Sequence, residues 1–256
     1  MSEEKLLVEY HGSVAVVTMN APPLNLLGFD MLLALRQIFV QLSRNKDLRA
    51  IILTGSGEKA FCAGADAKHF GDFAPGVNTS WGQDIMNVIE ACPVPVIAAI
   101  HGYCLGGGVE LSLACDIRIA AETTVMRLPE SGLGLIPAWG GTTRLPWFIG
   151  EANAKLLLFT GEDISGQQAL ELGLVQKCVP KEQLMDTCME LAQKIATRAP
   201  KSIDAIKKVI HTSRQAIFGG SLIAERENSA ICTNSEDTKE GLAALREKRQ
   251  PVFKNK

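Results

Sequence analysis

Apolar positions along the chain follow two rhythms. Short runs rich in β-branched and small apolar residues recur at residues 13–19, 50–54, 96–100, 116–120 and 174–179, the pattern of strands buried in a largely parallel sheet. Between several of them the spacing turns helical. Leu35, Ile38, Phe39 and Leu42 recur at i, i+3, i+4 and i+7, and Trp81, Ile85, Val88 and Ile89 keep a similar spacing, so each stretch predicts a helix with one buried stripe. Strand alternating with helix points to α/β layering.

From about residue 181 onward the rhythm is helical only. Helices are predicted over 181–198, 201–218, 221–233 and 237–248, with Ala199-Pro200 and Gly219-Gly220 as breaks, because proline lacks a backbone donor and glycine is a poor helix former. No polar linker separates this part from the rest, so two independently moving domains are not expected.

Composition narrows the classes. Of 256 residues, 46% are hydrophobic and 21% charged, with 26 basic against 28 acidic side chains, the balance of a globular protein rather than a disordered one. A net charge of -2 and a pI near 6.1 supply no basic field for a phosphate backbone, which disfavours nucleic acid as the main partner. Apolar stretches such as 94–100 are far shorter than the ~20 residues of a membrane-spanning helix. The acidic start, Met1-Ser2-Glu3-Glu4-Lys5, lacks the layout of a secretion signal or transit peptide, and a cytoplasmic location is expected. Seven cysteines without a Cys-x-x-Cys pair read as reduced, mostly buried thiols. His11, His69, His101 and His211 are dispersed, and no metal site is expected from their spacing. His101, following an apolar run, reads as a packed, hydrogen-bonded residue.

Candidate chemistry concentrates at two glycine-bearing turns. In Gly102-Tyr103-Cys104-Leu105-Gly106-Gly107-Gly108-Val109-Glu110 a strand gives way to a helix across three glycines. Unpaired N–H groups at a helix start can stabilise a negatively charged oxygen, or the glycines simply permit a tight turn. Glu110 stands in an apolar segment, where a carboxylate is costly unless it is used or paired. It is either a proton-transfer group or the partner of Arg118 or Arg144. Glu130, taken alone, reads as a solvated turn residue. The second turn, Ala60-Phe61-Cys62-Ala63-Gly64-Ala65-Asp66, is made of small residues that let a ligand approach the backbone. Neither turn has the order of a dinucleotide fingerprint, and no P-loop, H-E-x-x-H or G-x-S-x-G is present, so the usual supports of hydride transfer, ATP chemistry and serine hydrolysis are missing.

Together these segments resemble the crotonase superfamily, the enoyl-CoA hydratase/isomerase group. The likeness runs from about Leu7 to Lys248-Arg249. It is carried by 60–66, by Pro95-Val96-Ile97-Ala98-Ala99-Ile100-His101-Gly102 with the triple-glycine turn, by Ala114-Cys115-Asp116-Ile117-Arg118, and by Pro129-Glu130 with Gly134-Leu135-Ile136-Pro137. The resemblance implies a spiral of ββα units over 1–198 carrying the active site. It also implies a helical region over 199–256 that mediates assembly into a trimer or a dimer of trimers. An acyl-CoA thioester is the implied ligand, with CoA part of the substrate and no separate cofactor or metal.

By matching position, the N–H groups of Ala65 and Gly107 form an oxyanion hole, Glu110 is the base that activates water, and Glu130 is the acid that protonates Cα. Leu24, Leu26, Ala63, Ala65, Asp66, Ala67 and Lys68 match CoA-lining segments, and Gly106, Pro129, Leu133 and Trp139 adjoin the acyl group. Lys248 matches a basic position near the CoA phosphates, although an exposed Lys on a terminal helix is commonly just solvated. The departure is Ala138-Trp139, where family hydratases carry Gly and a small residue near the catalytic water. The indole either reshapes the acyl pocket, together with Phe73 and Leu133, or points into the core. Hydration of an enoyl thioester is the leading expectation. Isomerisation, another crotonase-type lyase or decarboxylase reaction, and a non-catalytic acyl-CoA- or RNA-binding scaffold are the alternatives.

Overall fold

Val14-Ala15-Val16-Val17-Thr18-Met19 is apolar at nearly every position, and in the computed structural model, which describes residues 5–66 and 77–253, it lies inside a sheet. The elements follow one another as β1 (Leu6–His11), β2 (Val14–Met19), α1 (Phe29–Leu42), β3 (Ala50–Gly55), β4 (Ala60–Cys62), α2 (Val77–Glu90), β5 (Val96–Ile100), β6 (Tyr103–Leu105), α3 (Gly107–Ala114), β7 (Ile117–Ala121) and β8 (Val125–Arg127). A 3-10 turn, Glu130–Leu133, leads to α4 (Gly141–Ile149), α5 (Glu151–Thr160), β9 (Ile164–Ser165), α6 (Gly166–Glu171), β10 (Lys177–Val179), α7 (Leu184–Ala196), α8 (Pro200–Thr233) and α9 (Glu236–Glu247).

Three successive repeats, β3-β4-α2, β5-β6-α3 and β7-β8-α4, each give one strand to a large sheet, one to a small sheet and then a helix. The large sheet has the order β1-β2-β3-β5-β7-β10, antiparallel between β1 and β2 and parallel elsewhere. The small sheet runs β4-β6-β8-β9. Each repeat advances one strand in both sheets, which is the spiral of ββα units expected from the family resemblance.

Both faces of the large sheet are covered, which explains its continuous apolar runs. On one face Leu35, Phe39, Ile51, Leu53, Ile85 and Ile100 belong to the main core. On the other, Leu184, Cys188 and Ala192 of α7 pack on Val16, Ile52 and Ile97. Each buried Leu, Ile or Phe stabilises by roughly 1.5–3 kcal/mol.

The break expected at Gly219-Gly220 is absent, because α8 is continuous over 34 residues. Glycine keeps its backbone donor, so in a helix it costs only about 1 kcal/mol relative to alanine. Pro200 does mark a boundary, standing at the first turn of α8, where its missing N–H has no helical partner to lose. The strands of the small sheet, two or three residues each, are too short to show a period. The helices of the C-terminal part fold back on the repeats: Lys207 Nζ pairs with Asp116 Oδ2 at 2.6 Å, and Thr238 Oγ1 donates to Gly134 O at 2.7 Å.

Candidate active site

The two glycine-bearing turns, 42 positions apart in sequence between Ala65 and Gly107, come together at the edge of the small sheet. Leu27 N donates to Gly64 O at 2.9 Å and Asp66 N donates to Leu27 O at 3.3 Å. Leu27 thus bridges Ala65 in parallel fashion by bonding the residues on either side of it, which turns the Ala65 N–H away from this strand-like segment. It faces α3: a Cβ placed on Gly107 would stand 3.4 Å from Ala65 N.

Gly106 caps α3 with φ +49°, a conformation that a side chain would strain. Its N–H donates to Arg127 O at 2.8 Å, tying the turn to β8. A Cβ on Gly106 would lie 2.8 Å from Glu130 Oε1, so only glycine leaves room for that carboxyl. Gly107 is the first residue of α3, where the N–H has no partner within the helix. Ala65 and Gly107 therefore present neighbouring backbone donors, with the positive end of a helix dipole behind one of them.

Glu110 lies in the first turn of α3 and is 3% exposed. Its Oε1 accepts from Trp139 N at 2.7 Å and Gly141 N at 2.8 Å. The ion-pair alternative is not what the fold builds. Arg118 donates to the carbonyls of Leu174, Ser112 and Cys115, and Arg144 pairs with Glu90 at 2.8 Å. Burial pushes the Glu110 carboxyl well above the usual range, the charges of Glu130 and Glu225 add to this, and the two N–H bonds act against it. Glu130 is not a solvated turn residue. Burial raises it to about 7, and its Oε2 is buried without a hydrogen-bond partner among the described residues.

The turn that holds Glu110 is itself held from outside. Gln83 of α2 donates to Ala138 O at 2.9 Å, Arg144 donates to Trp139 O at 3.2 Å, and Glu225 of α8 accepts from Thr143 N at 3.1 Å and Thr143 Oγ1 at 3.0 Å. The Trp139 side chain is 5% exposed and belongs to the main core. Its indole is clamped between Gly82 and Gly107, where a Cβ on either glycine would overlap the ring. Trp139 is thus both a core residue and the plate behind the Gly107 turn.

Other residues singled out from the sequence fall in three places. Ala63 N donates to Leu24 O at 2.9 Å, and Leu24, Leu26 and Asp66 line a cavity of about 500 Å³ together with Phe29 and Lys5, so this group is brought together. Pro129 and Leu133 flank Glu130, with α9 lying over them: a Cβ on Gly241 would approach Leu133 O to 2.7 Å. Lys248, two turns beyond Gly241, is exposed at the end of α9. Ala67, Lys68 and Phe73 lie outside the described residues. His101 is packed, with Nε2 3.1 Å from Gly57 O. Cys62 is fully buried, and burial raises its thiol to about 12, which excludes it as a nucleophile near neutrality.

Two carboxyls beneath a pair of strand- and helix-edge N–H groups have clear relatives. The sequence pattern of the family described as enoyl-CoA hydratase/isomerase matches residues 9–256. The chain belongs to the enoyl-CoA hydratase/isomerase family. A probable enoyl-CoA hydratase of Bacillus subtilis is 41% identical over 246 residues, covering 94% of this chain and 95% of its own. A short-chain-enoyl-CoA hydratase of Clostridium acetobutylicum is 38% identical over the full length of both chains. The crystal structure of an enoyl-CoA hydratase from Bacillus anthracis superposes with a TM-score of 0.80 at 40% identity, covering 99% of this chain and 100% of that one.

Within this family framework the sequence had not singled out Asn25, Gln83 or Glu225. Asn25 is fully buried in a left-handed conformation, φ +49°. Its Nδ2 donates to Ser56 O and Ala60 O at 2.9 and 2.8 Å, which pins the segment bearing Leu24 and Leu26. An amide within an apolar run was its only signal. Gln83 and Glu225 sit on helices where polar residues are ordinary, and nothing local marks them.

Proposed function

We propose that the protein is an enoyl-CoA hydratase that adds water across the 2,3 double bond of an enoyl-CoA thioester to give a 3-hydroxyacyl-CoA. The observation that carries this reading is the convergence of Glu110 and Glu130 on the turns of Ala65 and Gly107. The thioester oxygen accepts from the Ala65 and Gly107 N–H groups, which strengthen as negative charge develops on it. The CoA portion lies along Leu24, Leu26, Ala63 and Asp66, continuing to Ala67 and Lys68, with Lys248 as a candidate partner for its phosphates.

Burial and mutual repulsion leave the acidic pair with one shared proton near neutrality. The two N–H bonds to Glu110 stabilise its carboxylate against the burial that raises it, and the Glu130 Oε2, without a partner among the described residues, favours the acid there. Glu110 takes a proton from water as its oxygen bonds to Cβ. The electron pair of the double bond moves toward the thioester oxygen, and Glu130 delivers its proton to Cα. The proton gained by Glu110 then returns to Glu130, and the pair is ready for another turnover.

Residues 1–198 carry the repeats of this site in our reading. Residues 199–256 assemble the chain into a trimer or a dimer of trimers, consistent with the exposed Ile206, Val209 and Ile210 on α8. No described helix is long and apolar enough to cross a membrane, and a cytoplasmic location accords with an acyl-CoA substrate.

The test is loss of the conjugated enoyl-thioester absorbance on crotonyl-CoA, a branched enoyl-CoA and a cyclic dienoyl-CoA, with each product identified by mass. Gain of one water on any substrate is the expected outcome. Deuterium incorporation without water gain would replace hydration by isomerisation, and CoA binding without turnover on the whole panel would replace it by a scaffold role.

A further inference from the structure

Glu225 is an acid that the proposed reaction does not use, yet it is 4% exposed and 115 positions away in sequence from the glutamate it influences. Its Oε1 accepts both donors of Thr143, and its Oε2 accepts from Gln83 Nε2 at 3.1 Å. The same Gln83 nitrogen donates to Ala138 O. Glu225 therefore reaches both ends of the 138–143 turn, directly at Thr143 and through Gln83 at Ala138. Between those ends, Trp139 N and Gly141 N grip Glu110 Oε1.

We propose that Glu225, with Gln83, is a positioning residue that sets the orientation of Glu110 by fixing the 138–143 turn between α2 and α8. This rests on the reading of Glu110 as the base. A buried carboxylate is a poor way to join two helices for stability alone, since well-packed apolar residues do so without the desolvation penalty. What a carboxylate adds is direction. It accepts from three fixed donors and so defines where the turn's N–H groups point.

Glu225 also contributes charge. Glu110 faces the carboxyls of Glu130 and Glu225, and Glu225 raises the proton affinity of Glu110. Glu225 is itself raised by burial and lowered by its bonds to Gln83 and Thr143 and by the charge of Arg144. Beyond these stand Arg226, which donates to Gln83 Oε1 at 3.1 Å, and Glu90, which pairs with Arg144 and lies 3.9 Å from His211 Nδ1. The α8 helix thereby acts on the base from behind the turn.

The experiment compares wild type, Glu225→Gln and Thr143→Val in steady-state hydration from pH 5 to 9. Glu225→Gln keeps the volume but places an amide donor opposite the Gln83 donor and removes the charge. The expected result is a kcat lowered about 10-fold with KM within threefold of wild type, the size of a misplaced general base rather than of lost binding. The acidic limb of kcat/KM moves to lower pH, because Glu110 without the Glu225 charge stays ionised further into acid. Thr143→Val, which removes one donor and keeps the fold, gives a smaller change of the same sign.

A Glu225→Gln protein with wild-type kcat and an unmoved acidic limb, even if it melts earlier, overturns the proposal and leaves Glu225 merely structural. Thermal unfolding of Glu110→Gln, Glu225→Gln and the double variant gives a readout independent of the reaction. Tm losses smaller in the double variant than the sum of the singles support the coupling even if no enoyl thioester turns over, and additive losses overturn it.

Discussion

Helix α3 and the 3-10 turn Glu130–Leu133 each deliver one glutamate to the same place, and they hold it in opposite ways. Glu110 leaves an all-buried helix and is gripped by two backbone N–H groups of a third segment. Glu130 leaves a short turn with no fully buried residue, and its Oε2 meets no donor among the described residues. The same side chain is thus anchored by backbone donors in one place and keeps a buried, unbonded oxygen among the described residues in the other. Burial raises both carboxyls, and the donors supplied by the fold act against it at Glu110.

Three measurements would sharpen or break that contrast. The largest effect is on turnover. Glu110→Gln and Glu130→Gln are each expected to lower kcat for hydration by at least about 10²-fold. Full activity in either variant would remove that residue from its role. The second separates the two by stability. Glu110→Ala strands the N–H groups of Trp139 and Gly141, a loss of roughly 1–3 kcal/mol in urea unfolding, whereas Glu130→Ala is expected to change stability by less than about 1 kcal/mol. Equal losses would mean that the two carboxyls are held alike.

The third effect concerns pH. Glu130 is raised from 4.5 to about 7 in the folded protein, so the folded state binds more protons than the unfolded state between those values. Its contribution is fully present below pH 4.5 and is lost as pH rises toward 7. Wild type should therefore lose stability relative to Glu130→Gln over this window, and the two curves should run parallel above it. A difference that grows instead as pH falls would mean that Glu130 is held as a carboxylate.

Much of the scaffold was legible in the chain. The large-sheet strands β2, β3 and β5 and the helices α1 and α2 are long enough, and buried enough on defined faces, for their periods to declare them. The glycine turns were visible because three successive glycines and a run of small residues are uncommon where strand meets helix. The small sheet was not legible: its strands are two or three residues long and depend on neighbours in adjacent repeats. The continuity of α8 through Gly219-Gly220 was also hidden, since packing along a long helix overrides two weak positions.

At the site the division is sharper. Sequence by itself determined the long strands of the large sheet and the helices α1 and α2 by their periods, and the two turns and an isolated acid at Glu110 as local departures from the composition around them. Only the tertiary structure decided that Glu110 is bound by Trp139 and Gly141 rather than by an arginine, that the Glu130 Oε2 is buried, and that Trp139 lies between Gly82 and Gly107. It also decided that Gln83 and Glu225 stand behind the turn. These facts concern which groups distant in the chain share a desolvated space. A carboxyl's proton affinity depends on that space and its donors, which no stretch of neighbouring residues specifies.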